Sequence, residues 1–597
     1  MKTDKDVGRT DAAAEERVFE GLGVSPGVAI GTAHLRESGD VQVMEYQVPA
    51  GRLKAELARF DDAVTRSQRQ VGMLKDKAET FHGAAAEELG YLLDAHVHML
   101  QSQSLIGGIR RRIEESHTNA EAAVMAEVGA IADNFAQMDD AYLRTRGQEV
   151  REVGLRIVRN LTNTSFRGFG ELAPNSIVIA EEITPADTAL MDPDRVAAFA
   201  CVMGGAEGHT AIMARSLGIP AVLGVAGVSA GIKSGDTVIV DGSSGHVIVH
   251  PTPARIADYQ ARRKALEQEV TALARLRDVE AVSRDGGRVT LQANLELPRE
   301  LGQAVAAGAE GVGLLRTEFL FMNRDDLPGE EEQYAALAEI MAGMAGQPVT
   351  VRTLDIGGEK LASSLGDQST EGLNPALGLR AIRLSLKEPS LLETQLAAML
   401  RAGALGQLRI LLPMISSVSE VVEVRRILGE VARDLTRRGV KIADPLPQLG
   451  VMIEVPGAAI NADALANVAD FFSIGSNDLT MYTLAIDRGE ERVAHLYNPL
   501  HPGVLRLIQF SIQAALRARI PVAVCGEIAG DPNFTALIVG LGVRELSMVS
   551  NAIPRVKNRI LSMDIQEAIR RADMVMNQFD SERITALLDD FNTADDG

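Results

Sequence analysis

The sequence predicts an α/β protein of several domains: a small α/β domain split by an inserted helical block, then a C-terminal (β/α)8 barrel of the TIM type. Three observations predict it. The chain has 597 residues, beyond the size at which one hydrophobic core keeps growing. Its texture changes from short Gly- and Pro-marked apolar runs to long helical patterning and back again. Finally, eight strand-like runs alternate with helix-length spans over the last half of the chain, the pattern of a barrel.

Residues 1–20 are polar and charged with no apolar core to a leader, and read as a disordered tail. GLGVSPGVAIGTAHL (21–35) reads as short strands around a Pro-Gly turn. Proline is absent from 50–162, where runs such as RLKAELARFDDAVTRSQRQVGMLKDKAETF predict a helical domain. SIVIAEE, VAAFACVMGG, DTVIVDG and HVIVHP then alternate with turns. Residues 163–251 are therefore expected to complete the α/β domain begun at 21–49, with 50–162 inserted between its parts. The polar, Pro-started stretch 252–282 reads as a helical connector. Within 283–597 the eight strands are RVTLQAN, GVGLLRTE, PVTVRTLD, LRILLPM, QLGVMIEV, DFFSIGSND, IPVAVCGE and ELSMVS.

Composition narrows the function classes. A formal charge of −21 repels nucleic acid and anionic lipid. The two cysteines, Cys201 and Cys525, support neither a disulfide framework nor a thiolate zinc site. No run of 18 or more apolar residues occurs, so a cytoplasmic protein is expected and membrane spanning is not.

Polar residues collect at the C-terminal ends of the eight barrel runs: Asn294, Arg316, Arg352 with Asp355, Glu454, Asn477 with Asp478, and Cys525. A barrel builds its site at that rim. Arg316, Arg352 and Arg488 suit an anionic, phosphate-bearing substrate, because the guanidinium fork matches phosphate oxygens and stays charged. Glu454 and Asp478 offer hard oxygen ligands of the kind that hold Mg²⁺ together with substrate oxygens; pairing with the arginines is the other reading. Cys525 is either an inert buried thiol or a proton donor at the rim.

The stretch GGAEGHTAIMARSLGIPAV (204–222) places His209 at or just before the start of a helix that Gly218 ends. Unpaired N–H groups and the positive dipole end there would partly neutralise an anionic group on the ring. Neutral imidazole is a competent nucleophile, although a histidine at a helix start also serves as a cap or core residue. His96 and His98 sit at i and i+2 on a helix, so they face different ways and do not form a metal pair.

Taken together, SPGVAIG, GGAEGHTAIMARSLGIPAV, EGVGLLRTEFLFM, VRTLDIGGEK, NPALGLRAIR, VMIEVPGA, FFSIGSNDLTMYTLAIDRG and VCGEIAGD resemble, in order and over nearly the whole chain, Enzyme I of the phosphoenolpyruvate-dependent phosphotransferase system. The resemblance implies a swivelling phosphohistidine domain, an inserted domain that docks a histidine-containing phosphocarrier protein, HPr or its nitrogen-branch paralogue, and a phosphoenolpyruvate-binding barrel that forms a homodimer. It implies that His209 takes the phosphoryl group and that Thr188 hydrogen-bonds it. Arg316, Arg352, Arg380 and Arg488, with Asn477 and Asp478, would bind substrate. Glu454 and Asp478 would hold Mg²⁺, and Cys525 would protonate the enolate carbon. Glu87, Glu88 and His96 align with the surface used for the phosphocarrier. Gly208 departs from the Ser, Thr or Cys usual before the histidine, removing a hydroxyl or thiol beside the nucleophile.

Three alternatives make different predictions. A dikinase or phosphoenolpyruvate synthase would need a nucleotide-binding domain, whereas the residues before His209 hold a helical block and no Gly-rich nucleotide loop. A nitrogen-regulatory relay with an N-terminal sensor would need more than the twenty or so residues before SPGVAIG. A scaffold that has lost activity would not need the whole rim set.

Overall fold

The computed structural model describes residues 15–36, 43–78, 84–136, 141–162, 169, 172–183, 187, 188, 191–204, 209–322, 324, 326–357, 375–486, 493 and 495–594. The chain divides into two compact units, residues 1–268 and 269–597.

The first unit holds one eight-stranded sheet in the order β1-β8-β7-β3-β4-β5-β6-β2. The strands are β1 (Arg17–Glu20), β2 (Leu22–Ser25), β3 (Val28–Arg36), β4 (Ser176–Ala180), β5 (Val196–Cys201), β6 (Ala221–Leu223), β7 (Thr237–Asp241) and β8 (His246–Val249). β3 through β6 run parallel; β4, β5 and β6 are almost wholly apolar and buried because both faces are covered, whereas β3 carries Thr32, His34 and Arg36 and is mostly half-buried. The expected tail boundary at residue 20 is corrected here. Arg17–Glu20 pairs antiparallel with His246–Val249, and the Glu16 carboxylate accepts from the Thr252 N–H at 2.8 Å. The only signal in RVFE is the adjacent apolar pair Val18 and Phe19, which is weak in so short a strand.

Between β3 and β4 the described residues form five α-helices: α1 (Leu53–Ala78), α2 (Ala84–Gln101), α3 (Leu105–Ser116), α4 (Ala120–Ala136) and α5 (Ala141–Leu161). Their heptad-like stripes meet in one core containing Phe60, Val71, Leu93, Ile109, Val124, Val153 and Ile157. Burying each of the larger side chains contributes roughly 1.5–3 kcal/mol. Met213, from the helix His209–Leu217, completes this core, while Ala211 and Ala214 of the same helix pack on the sheet. That helix is thus wedged between helical bundle and sheet.

The stripe on α2 runs Leu89, Leu92, Leu93, His96, Leu100, and His96 is 0% exposed. This corrects its expected place on a surface offered to a partner protein. Its Nε2 lies 4.0 Å from the Glu152 carboxylate on α5. Burial, and then the charges of Asp187 and Glu182, push the Glu152 carboxyl up to about 7. A carboxyl raised in the folded state makes no difference below its unfolded value near 4.5. The destabilisation grows as pH rises from there to about 7 and is then constant. Glu152→Gln is therefore expected to be more stable than wild type at pH 8 by about 1–2 kcal/mol, reduced by the water that still reaches the group. The gap should close near pH 4.5–5; urea midpoints at the two pH values check this, and equal gaps would remove Glu152 as the cause.

The second unit begins within the helix Pro253–Ala274 and closes a barrel of eight parallel strands in chain order. They are β9 (Thr290–Leu295), β10 (Val312–Leu315), β11 (Val349–Arg352), β12 (Leu408–Leu412), β13 (Gln448–Ile453), β14 (Phe471–Ile474), β15 (Val522–Val524) and β16 (Glu545–Met548). All eight expected strands are present. Leu314, Leu411, Met452, Phe471 and Cys525 pack together inside the barrel. At Gly450 a Cβ would lie 2.3 Å from the Phe471 ring, so only glycine lets that ring fill the interior. The Lys557 ammonium, 2% exposed, donates to the carbonyls of Leu276 and Arg277 at 3.1 and 2.9 Å, closing the turn that follows the connector helix. No described helix is long and apolar enough to cross a membrane.

Candidate active site at the barrel mouth

Side chains two apart on a strand share a face. Met452 points into the barrel, so Glu454, just after β13, follows it inward at the rim. Glu454 is 0% exposed; its Oε1 accepts from the Met414 N–H, while its Oε2 is buried with no hydrogen-bond partner. Burial, then Asp355 and Asp478, drive its carboxyl well above the ordinary range. Gly475 makes room for it: a Cβ there would lie 3.1 Å from Oε2.

Arg352 ends β11 and is buried between two acids, its Nη2 2.9 Å from Glu318 Oε1 and its Nη1 3.1 Å from Asp355 Oδ2. Burial alone would lower its pKa, but Glu318, Asp355, Glu454 and Asp478 outweigh it and keep the guanidinium charged. Arg380 reaches the same Asp355, donating from Nη2 at 2.8 Å and Nε at 3.2 Å. Arg316, just after β10, pairs with Glu296. Asn477 and Asp478 lie in the first turn of the helix Ser476–Leu484 that follows β14. Asn477 and Glu527 exchange two hydrogen bonds of 2.9 Å. Tyr482, one turn along from Asp478, donates to the Ala376 carbonyl at 2.7 Å; burial raises its phenol to about 12.

Cys525, just after β15, is 5% exposed, with its Sγ 3.6 Å from the Ile474 carbonyl oxygen. Burial pushes the thiol up to about 11. It is therefore a protonated thiol at neutral pH rather than a nucleophilic thiolate. Asn294 donates to the Cys525 carbonyl at 2.9 Å and accepts from Ser547, which pins the segment that carries the sulfur.

The structure thus brings together Arg352, Arg380, Glu454, Asp478 and Cys525, as the sequence led one to expect, and adds Glu318 and Tyr482, which it did not. The signal for Glu318 was an acid two residues beyond Arg316 in LLRTEF. Arg488 lies outside the described residues. An anion fits this rim because the guanidiniums of Arg352 and Arg380 converge there on Asp355. A divalent cation fits it too: the orphaned Glu454 Oε2, with Asp478 as electrostatic neighbour, is a hard-oxygen position in want of a partner. Among the described residues no cluster of three or more His, Cys, Asp or Glu could hold a metal, so other ligands would come from substrate and water.

In the first unit, His209 opens the nine-residue helix His209–Leu217, and Gly218 ends it at φ +66°. Thr210 Oγ1 donates to the Ile183 carbonyl at 2.7 Å, tying the helix start to the segment that leads to Thr188. Thr188 is 0% exposed, and the preceding Asp187 is held by Arg36 at 2.8 and 3.1 Å. The side chain of His209 and residue Gly208 lie outside the described residues, as do the side chains of Glu87 and Glu88 on α2.

Family models match three stretches: residues 20–146 the N-terminal part, 172–245 the mobile domain, and 270–565 the PEP-binding domain of PEP-utilising enzymes. The chain is 42% identical over 580 residues to a phosphoenolpyruvate-protein phosphotransferase of Cupriavidus necator, covering 96% of this chain and 98% of that one. Proteins of the same name from Bacillus sp. and Listeria monocytogenes are 38% identical, each over 96% of this chain and 98% and 99% of theirs. Family models, near full-length relatives and the rim geometry together establish that the chain belongs to the phosphoenolpyruvate-protein phosphotransferase family of PEP-utilising enzymes.

Proposed function

We propose that the barrel binds phosphoenolpyruvate, that His209 takes its phosphoryl group, and that a histidine-containing phosphocarrier protein receives it. The observation that carries the reading is the buried Glu454 carboxyl group, with one oxygen unpartnered, sharing a rim with Arg352 and Arg380 and with the protonated Cys525.

On this reading Arg316, Arg352, Arg380 and Arg488, with Asn477, hold the phosphate. Glu454 and Asp478 would hold Mg²⁺, which when bound supplies positive charge to the phosphate and enolate oxygens. A ring nitrogen of His209 attacks phosphorus as the bond to the enol oxygen breaks. The electron pair left on the enolate takes the Cys525 proton at carbon, giving pyruvate, and solvent reprotonates the thiolate. Thr188 orients the imidazole, and the positive end of the helix His209–Leu217 favours the phosphorylated ring.

The acceptor docks on the inserted helical domain, 50–162, where Glu87 and Glu88 suit a basic-rimmed partner. Residues 17–49 with 163–251 form the phosphohistidine domain, 252–282 the connector and 283–597 the barrel, through which two copies associate; the cytoplasm is the compartment. Incubation with Mg²⁺ and ³²P-labelled phosphoenolpyruvate tests the reading. Acid-labile, alkali-stable label on the peptide holding His209, chased by added phosphocarrier, is expected. Absence of label under conditions that keep the protein folded would overturn it.

A further inference from the structure

We propose that Asp355 is a positioning residue for this reaction: one carboxylate sets the spacing of Arg352 and Arg380 and aims their remaining donors at the substrate phosphate. The inference rests on the reading that the barrel binds a phosphorylated substrate, and extends it to a residue outside the ligand set.

Two guanidiniums repel each other, and increasingly so where water is excluded. Drawing them to one phosphate needs a fixed anion between them. Asp355 is that anion: Oδ2 lies 3.1 Å from Arg352 Nη1, and Oδ1 takes both Nη2 and Nε of Arg380 at 2.8 and 3.2 Å. Its side chain is only 4% exposed, so it has no solvent position to swing into. Its backbone is braced as well, because the Asp355 N–H donates at 3.0 Å to Glu318 Oε1, the oxygen that also receives Arg352 Nη2 at 2.9 Å. The segment that bears Arg380 is carried to the same place by a bridge between Gly357 and Arg380 and by the Ala381 N–H on the Ile356 carbonyl at 3.2 Å.

The donors left over are informative. Asp355 occupies the Nε–Nη2 edge of Arg380, and among the described residues Arg380 Nη1 makes no hydrogen bond. Arg352 Nε is buried and has no partner either. A buried unpaired guanidinium N–H is costly unless a ligand meets it. Each arginine therefore keeps one donor in reserve while Asp355 holds Nε and Nη2 of Arg380 and Nη1 of Arg352, and Glu318 holds Nη2 of Arg352, which is how a bidentate site is pre-organised.

The competing possibility is that Asp355 merely neutralises buried charge, or competes with the phosphate for the arginines. A double-mutant cycle in the full-length protein separates these. KM and kcat for phosphoenolpyruvate are measured with Mg²⁺ for wild type, Asp355→Asn, Arg380→Met and the double variant. Misplaced binding groups cost on the order of a hundredfold in rate, so Asp355→Asn is expected to lower kcat/KM by about that much, with KM raised at least about tenfold. In the Arg380→Met background the same substitution should cost at least about fivefold less, since residues that act as a unit are not additive.

Additive losses, unchanged kinetics, or tighter substrate binding in Asp355→Asn would overturn the proposal. Should Asp355→Asn fail to fold, Asp355→Glu takes its place. It keeps the charge but moves the carboxylate by a methylene, so wild-type kinetics there would exclude a role in spacing. A wild-type protein that does not turn over phosphoenolpyruvate fails the functional reading itself, whereas an active wild type with an indifferent Asp355 fails only this inference.

Discussion

Replacing His209 with alanine is expected to reduce phosphoryl uptake from phosphoenolpyruvate to background while leaving the barrel able to bind the same substrate. The proposed nucleophile is a single side chain at a helix start, and among the described residues His96 offers no substitute, being buried on α2 with its Nε2 4.0 Å from the Glu152 carboxylate. The proposed binding groups, Arg352, Arg380, Glu454 and Asp478, all belong to the second unit. The partners described for them, Glu318, Asp355 and the Met414 N–H, belong to that unit as well. Retained ³²P after gel filtration measures uptake. Thermal unfolding with and without phosphoenolpyruvate and Mg²⁺ measures binding, because a ligand that binds only the folded form raises the melting temperature. Label on the alanine variant would remove His209 as the acceptor. Loss of the thermal shift would mean that His209 contributes to substrate binding as well as to transfer.

The barrel was legible because its strands are nearly continuous apolar runs of three to six residues between helix-length spans, a pattern that only a sheet covered on both faces requires. The rim was legible for the same reason: a charged residue directly after such a run has few places to go except the mouth. Arg352 and Glu454 were found this way. Asp355 was noticed, but its role was not, since bridging Arg352 to Arg380 depends on a return of the chain after 22 unpatterned residues, 358–379. Glu318 was passed over because in sequence it looks like the solvated end of a strand, whereas in space it walls in Arg352. His96 shows the opposite failure: the stripe Leu89, Leu92, Leu93, His96, Leu100 placed it in the core, and an alignment with a partner surface outweighed a periodicity that was present all along. The strand Arg17–Glu20 was missed because what stabilises it is an edge of the sheet 229 residues further on, from Arg17 to His246, and no local pattern encodes such a pairing.

The second large effect is expected at Cys525. Replacing it with alanine should slow pyruvate formation by about 10²–10⁴-fold, the usual contribution of a positioned general acid, and change the affinity for phosphoenolpyruvate comparatively little. Burial makes this thiol hold its proton up to about 11, so throughout the neutral range it is in the form that can donate. An acid of that strength suits a carbon centre of an enolate, which is basic enough to take a proton from a thiol. It also means that Cys525 cannot be the source of a pH limb between 6 and 9: the protonated fraction falls only as pH rises through about 11. The cavity left by the missing sulfur is small, bounded by Leu314, Leu411, Met452 and Phe471, so the barrel should persist. Single-turnover pyruvate formation, followed by rapid quench beside equilibrium substrate binding, separates the two steps. A wild-type rate in Cys525→Ala would transfer the proton donor's role to another group or to water. Matched losses in binding and rate would instead make the thiol a packing element of the barrel mouth. A slow rate at wild-type affinity leaves it as the acid, because only a group that acts after the substrate is bound can produce that split.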